Sequence, residues 1–129
     1  MDNQGLGFDI TFSPAPGASN ICDVTITVVD NDGVAAGKPY ALVLWLASDT
    51  NGTITTDAIS GEIAAKSTYG STLATLLSHY SSLLLTLPTG VLVVSITDTG
   101  KGPLHYLCAT VPGSDRIAVS RAIVTADYT

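Results

Sequence analysis

From Ile21 the chain runs in the two-residue period of a β-strand. Cys22, Val24, Ile26 and Val28 alternate with Asp23, Thr25 and Thr27. Successive strand residues point to opposite faces, so this pattern predicts one buried and one wet face. Asp30-Asn31-Asp32-Gly33 then predicts a tight turn, because Asn, Asp and Gly tolerate positive φ. Residues 40–47, which include Trp45, read as a central strand covered on both faces. Ser48-Asp49-Thr50-Asn51-Gly52 is a second turn, and residues 53–60 read as a weak strand ended by Gly61. Pro88-Thr89-Gly90 is a turn, and residues 91–97 form a strong β run because most positions are β-branched. Residues 98–103 are a turn and 104–111 a strand; 112–115 turn again, and 116–125 read as the final strand. About seven or eight short strands with regular turn signals predict an all-β sandwich.

Two segments depart from this rhythm. In residues 71–87, Leu73, Leu76, Leu77, Tyr80 and Leu84 sit at helical spacing, yet two strands broken near Ser81-Ser82 fit as well. The surrounding β pattern and the many Thr and Ser tilt the reading toward strands. Residues 1–20 are rich in Gly, Pro, Ser and Asn, and Pro14-Ala15-Pro16-Gly17 stops any helix. They read as an extended N-terminal arm ahead of a single domain at 21–129. Inside the arm, Phe8, Ile10 and Phe12 alternate with Asp9 and Thr11 as in a short strand. Those three are the candidate partner-binding residues: they either anchor the arm on a neighbour or close the domain's own sheet edge.

Composition limits the partners. The chain has 129 residues, 46% hydrophobic and only 12% charged, with a net charge of −6. Soluble domains carry about 25% charged residues, so a disordered chain is excluded. Lys38, Lys66, Lys101, Arg116 and Arg121 are scattered, and an acidic surface repels nucleic acid. A mean hydropathy of +0.40 with so few charges fits two readings: a surface partly covered by another molecule, toward which the reading leans, or a compact Thr/Ser-coated β protein that tolerates few charges. No apolar run approaches the ~20 residues of a membrane helix. The start, Met1-Asp2-Asn3-Gln4-Gly5, has no basic or apolar signal region, so no signal peptide is expected.

Several stretches together resemble a family. Val24-Thr25-Ile26-Thr27-Val28-Val29-Asp30-Asn31-Asp32-Gly33, followed by Ala36-Gly37, is similar to the opening of bacterial immunoglobulin-like domains of the invasin/intimin kind. Residues 90–100, then Tyr106-Leu107-Cys108-Ala109, then Arg116-Ile117-Ala118-Val119-Ser120, resemble their closing strands. In a small chain, this combination resembles the immunoglobulin-like structural proteins of tailed bacteriophages. The resemblance spans most of residues 21–124. It implies an immunoglobulin-like β-sandwich and a non-enzymatic virion structural protein, assembled in the host cytoplasm. Within a virion it implies a capsid decoration (cement) protein on the outer lattice, bound to the major capsid protein or other virion proteins, with a homo-oligomer such as a trimer possible. A tail, collar or fibre component is the alternative, as is a carbohydrate- or receptor-binding module. Cys22, Trp45 and Cys108, with Tyr106 two residues before the second cysteine, follow the order of immunoglobulin domains in which Trp packs on an inter-sheet disulfide. Two buried free thiols are the other reading, and a reducing compartment favours it.

Catalytic and metal chemistry has little to rest on. His79 and His105 lack Cys, Asp or Glu at metal-ligand spacing, and His105 is expected to face solvent or the other sheet surface. Asp57 and Glu62 read as solvated loop charges rather than a glycosidase pair. Asp30-Asn31-Asp32-Gly33 looks like part of a calcium loop, but Ala41 stands where its twelfth-position Glu belongs. Gly5-Leu6-Gly7 lacks the rest of a phosphate loop. The expectation is no enzyme, no cofactor and no metal.

Overall fold

A computed structural model describes residues 8–30, 32–55, 57–100 and 105–128. Residues 1–7 of the expected arm, Asn31 and Thr56, residues 101–104 of the expected turn and strand start, and Thr129 lie outside the described residues. The described chain is a sandwich of two antiparallel sheets. Its strands are β1 (Asp9–Pro16), β2 (Ile21–Val29), β3 (Ala41–Ala47), β4 (Ile63–Ala65), β5 (Ser71–Leu77), β6 (Ser81–Leu85), β7 (Val91–Thr97), β8 (Tyr106–Thr110) and β9 (Ile117–Val119). A 3-10 turn at Thr125–Asp127 ends the chain. One sheet has the order β1-β2-β7-β4, the other β5-β6-β3-β8-β9.

The period-two pattern accounts for the core. On β2, Cys22, Val24, Ile26 and Val28 are buried, and the first three lie opposite Ile96, Val94 and Leu92 of β7 in register. On β3, Leu42, Leu44 and Leu46 are fully buried and lie beside Leu84 of β6 and Leu107 and Ala109 of β8. These two inner faces meet in one cluster that also takes in Ile10, Ile59, Ile63 and Ile123. Each such side chain contributes roughly 1.5–3 kcal/mol on leaving water.

Turn chemistry works as expected where it is visible. Asp30 Oδ1 accepts the N–H groups of Asp32 and Val34. Asp49 Oδ1 does the same for Asn51 and Thr53, and those bonds hold its carboxyl below the usual range. Gly90 closes the 87–90 turn with φ +85, where a Cβ would be strained.

Several segments differ from the sequence reading. Residues 71–87 are a hairpin of β5 and β6, but the chain reverses at 78–80 rather than at Ser81-Ser82. His79 takes a left-handed φ of 72 there. Among the described residues of 53–60 there is no strand; one bridge joins Ile54 to Ala47. This stretch crosses from the five-stranded sheet to the other, so it cannot follow either ladder, and it anchors instead through buried Thr55 and Ile59. The strand after the crossing is β4, which the sequence reading missed. The final strand is three residues long, then a bridge from Ile123 to His105 carries the chain into the 3-10 turn.

Candidate interaction surface

Residues 9–16 of the expected arm are β1, paired with β2 in continuous register from Asp9–Val29 to Pro16–Cys22. Ile10 is 6% exposed and belongs to the core cluster. Phe8 and Phe12 pack against that cluster, and the Phe8 ring lies 5.5 Å from that of Tyr40. All three candidate anchors are thus engaged inside their own domain. The chain also closes over this edge. Arg116 Nη2 donates to the Phe8 carbonyl at 2.8 Å, and Arg121 Nη2 to that of Pro14 at 3.4 Å. Asp127 positions Arg121 through bonds of 2.7 and 2.8 Å. Pro14 and Pro16 offer no N–H to a further strand.

The opposite corner of the molecule is built differently. β5 is the end strand of the five-stranded sheet, and every one of its residues is exposed. Leu73, Leu76 and Leu77 are each about half exposed, at 50%, 50% and 49%. The register with β6 shifts twice, between Thr72 and Ala74 and between Thr75 and Leu77. Leu73 and Leu76 are the residues skipped. They are pushed outward by the bulges rather than stacked on β6. Gly70, with φ +137, admits the chain to β5 where a Cβ would collide with Leu92 and the Leu85 carbonyl.

The face next to this edge is largely apolar, with Ser71, Ser81, Tyr106 and Thr110 among its outward residues. Residues paired across a ladder share a face, so the register assigns each side chain. Ala74 and Leu77 of β5, Leu83 and Leu85 of β6, Val43 and Trp45 of β3, Cys108 of β8, and Ile117 and Val119 of β9 all point away from the core. None of the residues in these five strands is charged. The 48–53 turn covers the β3–β8 side, where Trp45 Nε1 donates to the Gly52 carbonyl at 2.9 Å and Ile117 reaches Gly52. The β5–β6 side is open. With strands about 4.8 Å apart and a rise of about 3.4 Å per residue, the whole face measures on the order of 500 Å2. The largest apolar patch on a typical soluble monomer is roughly 300–600 Å2 and is often functional; only the β5–β6 part of this face is open. One signal in the sequence marks the region: residues 67–97 contain no Asp, Glu, Lys or Arg.

The face assignment also decides the cysteines. Cys22 points into the core from β2, whereas Cys108 points outward from β8 beside Trp45. A whole sheet lies between them, and both are free. Trp45 therefore packs on no inter-sheet disulfide, and the immunoglobulin-type Cys–Trp–Cys arrangement is not realised. Burial pushes both thiols up to about 11, which suppresses the reactive thiolate.

The remaining polar candidates all find partners within the fold. His105 is 1% exposed, so of the two expected placements the solvent-facing one does not hold, and its Nε2 meets the Asp57 carbonyl at 2.9 Å. Glu62 is not a free loop charge: it accepts the Ser78 hydroxyl at 2.7 Å and the His79 N–H at 2.8 Å, clamping the 78–80 turn to the entrance of β4. Those two bonds hold its carboxyl below the ordinary range. Ser78 donates its hydroxyl proton to Glu62 rather than to His79. Nδ1 of His79 is turned to the Gly61 carbonyl at 2.8 Å. Among the described residues no group of three or more His, Cys, Asp or Glu side chains is placed to hold a metal ion. No helix among them is long and apolar enough to cross a membrane. Comparison with protein-family models, with curated proteins and with solved structures finds no match for this chain.

Proposed function

We propose that this chain is a non-enzymatic structural protein that works by docking, with β5 and the adjoining outer face of its five-stranded sheet as the contact surface. The observation that supports this reading is the contrast in cover. An uncharged, largely apolar face with an exposed end strand sits on a chain of net charge −6 whose other long edge is covered by arginines. An exposed end strand takes an extended segment through backbone hydrogen bonds, and the apolar face beside it supplies desolvation. In its specific form, taken from the resemblance of residues 21–124, the partner is a bacteriophage particle. The chain is then a capsid decoration protein seated on the outer lattice, or else a tail, collar or fibre component. A sugar- or receptor-binding module finds less support. It needs exposed loop aromatics, and of Tyr69 and Tyr128 only Tyr69 is exposed.

Quantitative mass spectrometry of purified particles, against the major capsid protein, tests the specific form. Copies that scale with capsid subunits fit decoration. A few dozen or fewer fit the tail or collar, and absence sinks the virion reading. The surface is tested on the same particles. Leu77→Lys, on the apolar outer face, is expected to lose attachment. Thr25→Lys, on the outer face of the other sheet, is expected to keep it.

A further inference from the structure

We infer that Asn51 is a self-modifying site: its side chain cyclises onto the backbone nitrogen of Gly52, and the product loosens the turn that covers Trp45 and Cys108.

The chain has four asparagines, and their neighbours differ. Asn3, Asn20 and Asn31 precede Gln4, Ile21 and Asp32, whereas Asn51 precedes Gly52. Glycine has no Cβ to hinder its nitrogen, and asparagine is among the thermally labile residues. Asn51 lies exposed in the 48–53 turn, open to the hydroxide and water that the reaction needs. Asn20 is the contrast. It is half-buried, a β-branched residue follows it, and the Ala18 carbonyl holds the Ile21 N–H at 2.9 Å.

The fold keeps the labile pair in place. Gly52 takes φ +83, and a Cβ there would stand 2.5 Å from Ile117 Cδ1 and 3.5 Å from Trp45 Cζ2. A side chain at 52 would slow the cyclisation, but it would also lift the turn off the sheet. The Gly52 carbonyl in turn accepts Trp45 Nε1 at 2.9 Å. Cys108, opposite Trp45 in the ladder, is fully buried. The residue that receives the attack thus neighbours the one that fastens the cover.

In the reaction, Gly52 N loses its proton to hydroxide and attacks Asn51 Cγ. The Cγ–Nδ2 bond breaks, and the nitrogen leaves as ammonia after taking a proton from water. A five-membered succinimide remains, and water opens it at either carbonyl. The product at 51 is aspartate or its isomer, in which the main chain runs through Cβ and Cγ. Either one adds a carboxylate close to Asp49, whose Oδ1 already accepts the Asn51 and Thr53 N–H groups. Like charges repel within the turn, and the isomer also lengthens the main chain between those two bonds. Both changes weaken the Gly52 bond to Trp45.

Incubation of the native chain at mildly alkaline pH and body temperature, followed by peptide mapping, tests this. The expected result is a gain of one mass unit at Asn51, faster as pH rises, with Asn20 unchanged. Trp45 is the sole tryptophan, and its emission should shift to the red in the same samples. A maleimide should label Cys108 in the aged chain and not in the fresh one. Asn51→Gln should remove the mass gain and leave Cys108 unlabelled, because glutamine must close a larger ring. At an exposed position that exchange costs the fold little. A chain kept in urea supplies the unhindered rate. Conversion of Asn51 in urea but not in the folded protein means that the turn protects it, which overturns the site. So does conversion in neither state, or equal conversion at Asn20. Conversion at Asn51 with no response from Trp45 or Cys108 overturns the loosening of the turn.

Discussion

The two sheets present outer faces of opposite character. The outer face of the four-stranded sheet carries Thr11, Ser13, Asp23, Thr25, Thr27, Ser95 and Thr97, with Val91 and Val93 between them. Asp23 there joins Lys66 and Ser95 in a hydrogen-bonded group. That face satisfies water by itself. The outer face of the five-stranded sheet carries Leu77, Leu83, Leu85, Val43 and Trp45 in the equivalent positions. The edges follow the same division, since β1 is sealed by arginines and prolines while β5 lies open. Folding accounts for the polar outer face of the first sheet. It does not explain why the second stays apolar on the side turned away from the core.

If that contrast is right, residues of like chemistry on β1 and β5 should behave differently. Ile10→Ala removes a core side chain and is expected to lower stability by about 2–4 kcal/mol, read by urea denaturation. Leu76→Ala, on the open edge, should change stability by less than about 0.5 kcal/mol. Equal losses at the two sites would erase the distinction.

The seal on β1 should also depend on pH. The side-chain bond from Arg121, with the Val124 N–H, holds the Asp127 carboxyl below its ordinary value. A depressed carboxyl lends stability above its unfolded value, about 3.9, and that stability fades as pH falls through the lower folded value. Arg121 is half exposed, so Asp127→Asn should cost only about 1 kcal/mol near pH 7. The gap between variant and parent should shrink as pH drops below about 4. A gap that stays constant down to pH 2 would show that the ion pair does not hold the edge.

The smallest effect concerns the hairpin that carries β5. Ser82 Oγ is buried, faces the core beside Leu44, and has no hydrogen-bond partner among the described residues. Ser82→Ala should stabilise the fold by about 0.5–1 kcal/mol, seen as a higher melting temperature with attachment unchanged. A destabilised variant would mean that the hydroxyl makes a bond after all.

How legible this molecule was depends on the segment. Val24, Ile26 and Val28 against Thr25 and Thr27 show both faces of β2 at once, because one set is apolar and the other is not. Ala41-Leu42-Val43-Leu44-Trp45-Leu46-Ala47 hides its faces, since both sets are apolar. It was read as covered twice, yet its outer side is only partly covered. Residues 71–87 hid the most. Two skipped leucines broke the period of two and produced a helical spacing in a strand.

Period and turn chemistry are local, so the amino-acid sequence by itself determined the all-β class, most of the strands and the inward set on β2 and β7. Pairing is not local. Only the tertiary structure decided that β1 lies on β2, that Cys22 and Cys108 fall on different sides of a sheet, and that β5 is left at an edge. Each of those depends on which distant strand completes a ladder, and backbone hydrogen bonds that join strands are blind to the residues that make them.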